Sequence, residues 1–125
     1  MAYFVDPVLR QFIIDNTEER RISIVANIAH KHPDRVPILV GRAILKNTPS
    51  INQCKYLVPQ DFTFSKFIAE IRKHLEPLGK SASLFFFLSN NTLVPSGALL
   101  SDLYTNHKSK DGFLYITYAC ENTFG

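Results

Sequence analysis

A chain of 125 residues with 46% hydrophobic and 20% charged residues has the composition of one globular domain with a modest core. Its formal net charge of +3 is too small to indicate nucleic-acid binding by itself. The two cysteines lack partners at metal-ligand spacing, so we expect reduced thiols rather than a disulfide or a zinc site. No apolar run approaches the roughly 20 residues of a membrane span. The N-terminal residues lack the basic and apolar regions of a signal peptide, and we therefore expect a cytoplasmic protein.

The N-terminal part of the chain predicts two amphipathic helices. Asp6-Pro7 combines a capping acceptor with a proline at the first helical position, which is typical of a helix start. Asn16, with Glu19 three residues later, resembles a capping box for a second helix over residues 17–31. We expect this helical segment to precede the main domain.

The next segment predicts a β-hairpin. His32-Pro33 ends the second helix because a proline disfavours the helical conformation of the residue before it. Residues 36–45 and 54–58 are apolar runs with β-prone side chains, and the loop between them is short enough for antiparallel pairing. The second of these strands is expected at an edge of the sheet, where its outer backbone groups have no strand partner.

The middle of the chain carries the clearest helical periodicity. Thr63 is a capping residue, and apolar residues over 64–75 recur at the spacing of one helix face. Residues 84–88 predict a third strand and residues 92–94 a short fourth one. One or two helical turns are expected over residues 99–104.

The last predicted strand is the main basis for the predicted fold. Residues 113–119 are apolar or β-prone at every position, which indicates a central strand covered on both faces. The element order then favours an α+β fold, namely a β-grasp (ubiquitin-like) mixed sheet with a crossover helix and two N-terminal helices. We expect the first and last strands to pair in parallel at its centre. Residues 1–31 form a helical extension and residues 32–125 the ubiquitin-like domain, in one compact unit.

The motifs of catalysis are absent from the sequence. It contains no nucleophile elbow, phosphate-binding loop, Gly-rich dinucleotide turn or Cys/His metal spacing, so we expect neither an enzyme nor a metal site. A recognition site is favoured instead. Arg35 and Lys55 are expected near the edge strand, and some of Tyr56, Leu57 and Val58 must point outward, an arrangement that docks extended peptides.

Several long blocks carry a specific resemblance to a known family. The blocks, in chain order, are Pro33-Asp34-Arg35-Val36-Pro37-Ile38-Leu39-Val40, Lys55-Tyr56-Leu57-Val58-Pro59, Leu84-Phe85-Phe86-Phe87, Asp111-Gly112-Phe113-Leu114-Tyr115-Ile116-Thr117-Tyr118-Ala119 and Thr123-Phe124-Gly125. They resemble the autophagy ubiquitin-like modifiers of the GABARAP type, from about residue 20 to the end. Residues 1–16 match less well.

The resemblance implies conjugation to a lipid. Family members are joined through a C-terminal glycine to phosphatidylethanolamine by an activating and a conjugating enzyme, and a cysteine protease releases the lipid. Gly125 matches that glycine. Because family precursors commonly carry residues after the glycine, the chain either needs no first cleavage or is written in its mature form. No cofactor is implied apart from the attached lipid, and the lipidated form is expected on autophagosomal membranes.

The resemblance also implies receptor binding. Family members bind peptides with an aromatic-x-x-aliphatic motif along the edge strand. The positions matching the aromatic pocket are Ile28, Pro37, Leu39, Lys55, Leu57 and Phe113. Those matching the aliphatic pocket are Tyr56, Val58, Pro59, Phe62, Phe67 and Ile71, and those matching basic contacts are Arg35 and Arg72. Three positions depart from the family pattern: Ile24 replaces a frequent acidic residue, Glu70 an aliphatic one and His74 an arginine.

Two functions from different classes remain open at this point. The first is a lipid-conjugated modifier that recruits receptors to membranes. The alternative is an unconjugated β-grasp adaptor that only captures peptides. A sulfur carrier of the same fold is a distant third, since such proteins usually end in two glycines and Phe124 precedes Gly125 here.

Overall fold

The computed structural model describes residues 6–43, 50–75 and 83–121, without the side chain of Glu121. The helices and strands within these ranges are α1 (Pro7–Asp15), α2 (Glu18–Lys31), β1 (Arg35–Arg42), β2 (Lys55–Pro59), α3 (Phe64–Arg72), β3 (Ser83–Leu88), α4 (Leu100–His107) and β4 (Leu114–Glu121). None of the helices in this part of the chain is long and apolar enough to span a membrane.

Asp6 starts α1 and also ties that helix to the sheet. Its carboxylate accepts a hydrogen bond from the backbone N–H of Val8 at 2.9 Å, which confirms the predicted cap. The second carboxylate oxygen accepts from the backbone N–H of Arg42 in β1. Asp6 is only 2% exposed, so this shared carboxylate fixes where α1 lies on the sheet.

The predicted start of α2 is wrong by one residue. Thr17, rather than Asn16, is the capping residue, and its hydroxyl accepts from the backbone N–H of Arg20 at 3.2 Å. Asn16 instead ends α1, and its side-chain amide donates to the carbonyl of Phe12 at 2.9 Å. Both residue types cap helices well. Because the connection between the helices is short, Asn16 ends α1 and Thr17 begins α2.

The described strands form one mixed sheet in the order β2-β1-β4-β3. β1 pairs antiparallel with β2 and parallel with β4, and β3 pairs antiparallel with β4. The predicted hairpin, the parallel central pair and the edge position of β2 are therefore confirmed. Residues 113–120 are all buried, as expected for a strand covered on both faces.

Two apolar clusters cover the two faces of the sheet. The larger lies under α3 and α4 and contains fully buried Phe64, Phe67, Ile71 and Leu100 together with inward residues of the strands. The smaller lies under α1 and α2 and consists of Leu9, Leu39, Cys54, Phe113 and Tyr115, with Phe12, Ile13, Ile24 and Val25 packed against it. The sheet is thus enclosed between two helical layers, which is the architecture of an α+β fold.

α2 contacts the turn before β4 through a close approach and an ion pair. Gly112 has φ of +93°, and a Cβ there would lie 2.7 Å from a methyl carbon of Val25, so glycine is required. Next to it, the Arg21 guanidinium contacts the Asp111 carboxylate at 2.8 Å. The same carboxylate accepts from the Tyr115 hydroxyl and, at 2.9 Å, from the backbone N–H of Phe113. This network holds α2 against the central strand.

Some element boundaries differ from the prediction. α3 ends at Arg72 rather than at residue 75, and residues 92–94 form an isolated bridge between Leu93 and Phe87 rather than a strand. β4 continues to Glu121 because Ser83 of β3 pairs with that residue. The predicted end of β1 at residue 45 and the terminal Gly125 lie outside the described residues.

Candidate peptide-binding groove

β2 presents alternating side chains on its two sides. Tyr56 and Val58 are buried, whereas Lys55 is exposed and Leu57 and Pro59 are half-buried. In the described sheet β2 has a single strand neighbour, β1, so its other edge is not covered by a strand. A strand with an open edge and partly exposed apolar side chains can pair with an extended peptide.

A cavity of about 300 Å³, which we call the edge groove, lies beside β2. Its lining residues are Arg35, Tyr56, Leu57, Val58, Pro59, Phe62, Phe67 and Glu70. Five of the six positions assigned to the aliphatic pocket are among them. The exception is Ile71, which is 0% exposed because it faces the core beneath the groove.

Two residues assigned to the aromatic pocket are covered by α1. Leu39 and Phe113 are each 0% exposed and belong to the smaller core cluster, which α1 covers with Leu9 and Phe12. The Phe12 and Phe113 rings meet edge to face with centroids 6.0 Å apart. The sequence did not reveal this cover, since it gives no information on where α1 packs.

The remaining residues assigned to the aromatic pocket lie in different places. Ile28 and Pro37 line a separate cavity between α2 and α4. Leu57, which is assigned to the aromatic pocket alone, lines the edge groove together with aliphatic-pocket residues. Lys55 is exposed at the start of β2. The structure therefore brings the aliphatic-pocket residues together around one opening, but not the six aromatic-pocket residues.

Two charged residues line the edge groove. The Arg35 guanidinium donates to the carbonyl of Leu57 at 3.1 Å, which holds a cation beside β2. Glu70 also lines the groove, with its side chain 47% exposed, and it pairs with Lys73 at 3.1 Å. Glu70 thus faces the groove and not only solvent. Arg72, the other predicted basic contact, is exposed in the last turn of α3.

Tyr56 has an unusual environment at the base of the groove. Its ring contacts Phe67 and His74 edge to face, with centroids 5.7 Å and 5.5 Å apart. Within the described residues its buried hydroxyl has no hydrogen-bond partner. Burial raises the pKa of the phenol above its ordinary value, so this hydroxyl stays protonated. Sequence reasoning identified the residue as lining the pocket but not the unpaired hydroxyl.

The other two departures from the family pattern do not line the edge groove. Ile24 is half-buried and packs against the smaller core cluster. His74 contacts the side chain of Asn52 at 3.3 Å and lines a different hollow with Lys73 and Leu75. Glu70 is the departure that contacts the groove directly.

Comparisons with known proteins decide the identity of this fold. The family described as "Autophagy protein Atg8 ubiquitin like" matches residues 20–125. The chain belongs to the Atg8 family. Autophagy-related protein 8a of Arabidopsis thaliana is 46% identical over 114 residues, covering 91% of this chain and 92% of that protein. Autophagy-related protein 8 of Dictyostelium discoideum is 43% identical over 111 residues, covering 89% and 90%.

Solved Atg8 structures share the fold. Trypanosoma brucei ATG8 superposes with a TM-score of 0.80 at 37% identity, covering 91% of this chain and 97% of that one. Plasmodium falciparum Atg8, solved in complex with an Atg3 peptide from the same organism, has a TM-score of 0.73 at 29% identity and covers 83% and 90%. The predicted ubiquitin-like α+β fold and the predicted membership of the autophagy modifier family are confirmed.

Proposed function

We propose that this Atg8 family member is conjugated through Gly125 to phosphatidylethanolamine and recruits motif-bearing receptors to autophagosomal membranes. The observation that carries the proposal is the family match, which continues to residue 125 and so includes the terminal glycine. The protein is a modifier and not a catalyst: an activating and a conjugating enzyme attach it, and a cysteine protease removes the lipid. The free form is cytoplasmic.

The chemistry needs only the terminal carboxylate and an accessible chain end. The activating enzyme converts the carboxylate to an adenylate and then to a thioester, and the lipid amine displaces the thiol to form an amide. Gly125 has no side chain, so it fits a narrow enzyme channel. Phosphatidylethanolamine supplies two acyl chains, and two chains anchor a protein stably, whereas one chain alone is marginal.

Receptor peptides bind by strand addition to β2. Backbone pairing orients the peptide, the aliphatic anchor enters the edge groove, and Arg35 lies where it attracts acidic residues of the peptide. Each buried anchor contributes about 2–3 kcal/mol, and ordering the flexible peptide offsets part of this gain. We expect dissociation constants near the micromolar range. Since a Plasmodium falciparum relative was solved with an Atg3 peptide, we propose that this chain also binds a peptide segment of its conjugating enzyme.

Reconstituted conjugation tests the lipid attachment. The full chain is incubated with activating enzyme, conjugating enzyme, ATP and vesicles containing phosphatidylethanolamine, and the product is identified by intact mass. Gly125→Ala should abolish the adduct, whereas the matched tail variant Asn122→Ala should retain it. An adduct on Gly125→Ala contradicts the proposed attachment point. Peptide binding by the wild-type chain without any adduct favours the unconjugated adaptor.

Amide chemical shifts test the peptide site. Titration with an aromatic-x-x-aliphatic peptide should shift the amides of residues 55–58. Leu57→Arg places a charge in the groove and should weaken binding at least tenfold, while Leu93→Arg changes a 60% exposed residue away from it and should not. Shifts that leave residues 55–58 unaffected overturn the assignment.

A further inference from the structure

A second cavity lies on the other side of Arg35 from the edge groove. This α2–α4 cavity has a volume of about 170 Å³. Its lining includes Ile28 and Pro37, which the family pattern assigns to the aromatic pocket, together with Val25, Ala29, Arg35, Gln60, Tyr104 and Thr105. Val25 and Ala29 come from α2, Tyr104 and Thr105 from α4, and Gln60 from the residue after β2. The described lining residues include no acidic side chain.

The α2–α4 cavity and the edge groove meet at the first residue of β1. Arg35 lines both cavities, and its guanidinium is held by the carbonyl of Leu57. The backbone of Gln60 bridges the same region, donating to the Asp34 carbonyl at 2.9 Å and accepting from the Ser101 N–H at 3.0 Å. Backbone hydrogen bonds therefore join the end of β2 to α4.

The direction of a bound peptide follows from the two anchor positions. The aromatic residue of the motif is assigned beside Lys55 and Leu57, and the aliphatic residue beside Val58 and Pro59. Because the aromatic residue comes first in the motif, the peptide runs parallel to β2 and leaves the groove past Pro59. Arg35 pairs with Pro59 in the sheet, so the departing segment meets Arg35 first.

We propose that the α2–α4 cavity receives an apolar side chain from the residues that follow the motif in the same receptor peptide. The inference rests on the proposed receptor binding along β2. Strands lie about 4.8 Å apart and an extended residue spans about 3.4 Å, so three or four residues bridge the two cavities. An acidic residue in this bridge faces Arg35, and Lys108, whose Nζ lies 5.4 Å from the ring centre of the lining residue Tyr104, adds positive charge near the cavity without lining it. The occupant is thus an acidic segment carrying one Leu-sized side chain.

Calorimetric titration of the full chain with three synthetic peptides tests the proposal. The first ends one residue after the aliphatic position, the second adds six residues that include one Asp and one Leu, and the third adds six Gly and Ser residues. The Asp- and Leu-containing extension should improve affinity about fivefold over the short peptide, a gain of about 1 kcal/mol. The Gly and Ser extension should give no gain.

Variants of α2 provide the matched comparison. Ala29→Phe fills the α2–α4 cavity and should remove the fivefold gain without changing affinity for the short peptide. Ala26→Phe changes an exposed alanine of the same helix that does not line the cavity, and it should preserve the gain. Thr105→Trp fills the cavity from α4 and gives a second test if Ala29→Phe fails to fold.

The possible outcomes separate this inference from the proposed function. If the short peptide does not bind, the proposed function fails and this inference fails with it. If the short peptide binds but the extension adds nothing, or if the gain survives in both cavity-filling variants, the inference is overturned while receptor binding stands. Amide shifts at Ser101, Tyr104 and Thr105 that appear only with the Asp- and Leu-containing peptide support it.

Discussion

Phe12 of α1 meets Phe113, the residue before β4, edge to face, with ring centroids 6.0 Å apart, and Phe113 is 0% exposed. An N-terminal helix therefore covers a residue that the family pattern assigns to the aromatic pocket. An incoming aromatic side chain reaches Phe113 only if this cover moves, because the ring has no accessible surface of its own. The position of α1 is thus linked to the depth of the pocket.

Phe12→Ala should uncover part of this site. We expect a loss of stability of about 1–2 kcal/mol, less than for a fully buried phenylalanine because Phe12 is half-buried. We also expect about threefold tighter binding of a motif peptide, since the ligand no longer displaces the ring. Urea unfolding and calorimetry measure the two effects. Ile14→Ala, which truncates a residue 64% exposed, is the control, and weaker peptide binding by Phe12→Ala contradicts the prediction.

Glu70→Leu should change which peptides bind. Glu70 contributes a carboxylate to the edge groove, so it disfavours acidic residues near the aliphatic position of the motif. Its removal should improve the affinity for acidic-flanked peptides two- to threefold, because an interaction between exposed charges is worth about 0.5 kcal/mol. Lys73→Leu removes the cation paired with Glu70 and should have the opposite effect. A peptide array varying charge around the motif measures both, and equal profiles contradict the prediction.

Ile24 should change motif preference near the aromatic site. It brings no charge where the family pattern has a frequent acidic residue, so the site should be more tolerant of acidic residues beside the motif's aromatic. The same peptide array tests this expectation.

Asp111→Ala should be the most destabilising of these substitutions. The carboxylate is 3% exposed and contacts Arg21, Tyr115 and the backbone of Phe113, so its loss leaves buried donors without a partner. We expect a loss of about 3 kcal/mol in the free energy of unfolding. Glu70→Ala breaks the exposed pair with Lys73 and should cost less than about 0.5 kcal/mol. Similar losses for the two variants contradict the prediction.

Tyr56→Phe should preserve or increase stability at neutral pH. The variant removes a buried hydroxyl that has no partner among the described residues, a gain of up to about 1 kcal/mol. It should also change the response to alkali. Burial raises the pKa of the Tyr56 phenol in the folded state. The free energy of unfolding therefore keeps its full value below the ordinary pKa of about 10, and it falls above that pH because the unfolded state ionises first.

Unfolding measurements between about pH 9 and 11 test this sign. The wild-type chain should lose more stability over that range than Tyr56→Phe, because the variant has one fewer phenol to ionise on unfolding. Equal losses show that the Tyr56 phenol does not carry the dependence.

Local sequence patterns predicted the central position of β4, the edge position of β2 and the order of the elements, apart from the strand expected over residues 92–94. These follow from local patterns: both faces of residues 113–119 are apolar, a loop joins β1 to β2, and Asp6 and Thr63 cap helices by contacts a few residues away. The aliphatic-pocket residues were assigned from the family resemblance, and five of the six line one opening because they lie on β2, in the turn after it and on α3.

Contacts between residues that are distant in sequence are visible only in the tertiary structure. The cover of Phe113 by Phe12 joins positions about a hundred residues apart, and no periodicity encodes where one helix packs on a sheet. Arg35 lines two cavities. It is the first residue of β1, and the pairing of β1 with β4 begins only at Ile38. α4 fills the space beside these first residues of the strand. Cavities are spaces between packed elements, so they depend on how side chains of distant segments fit together.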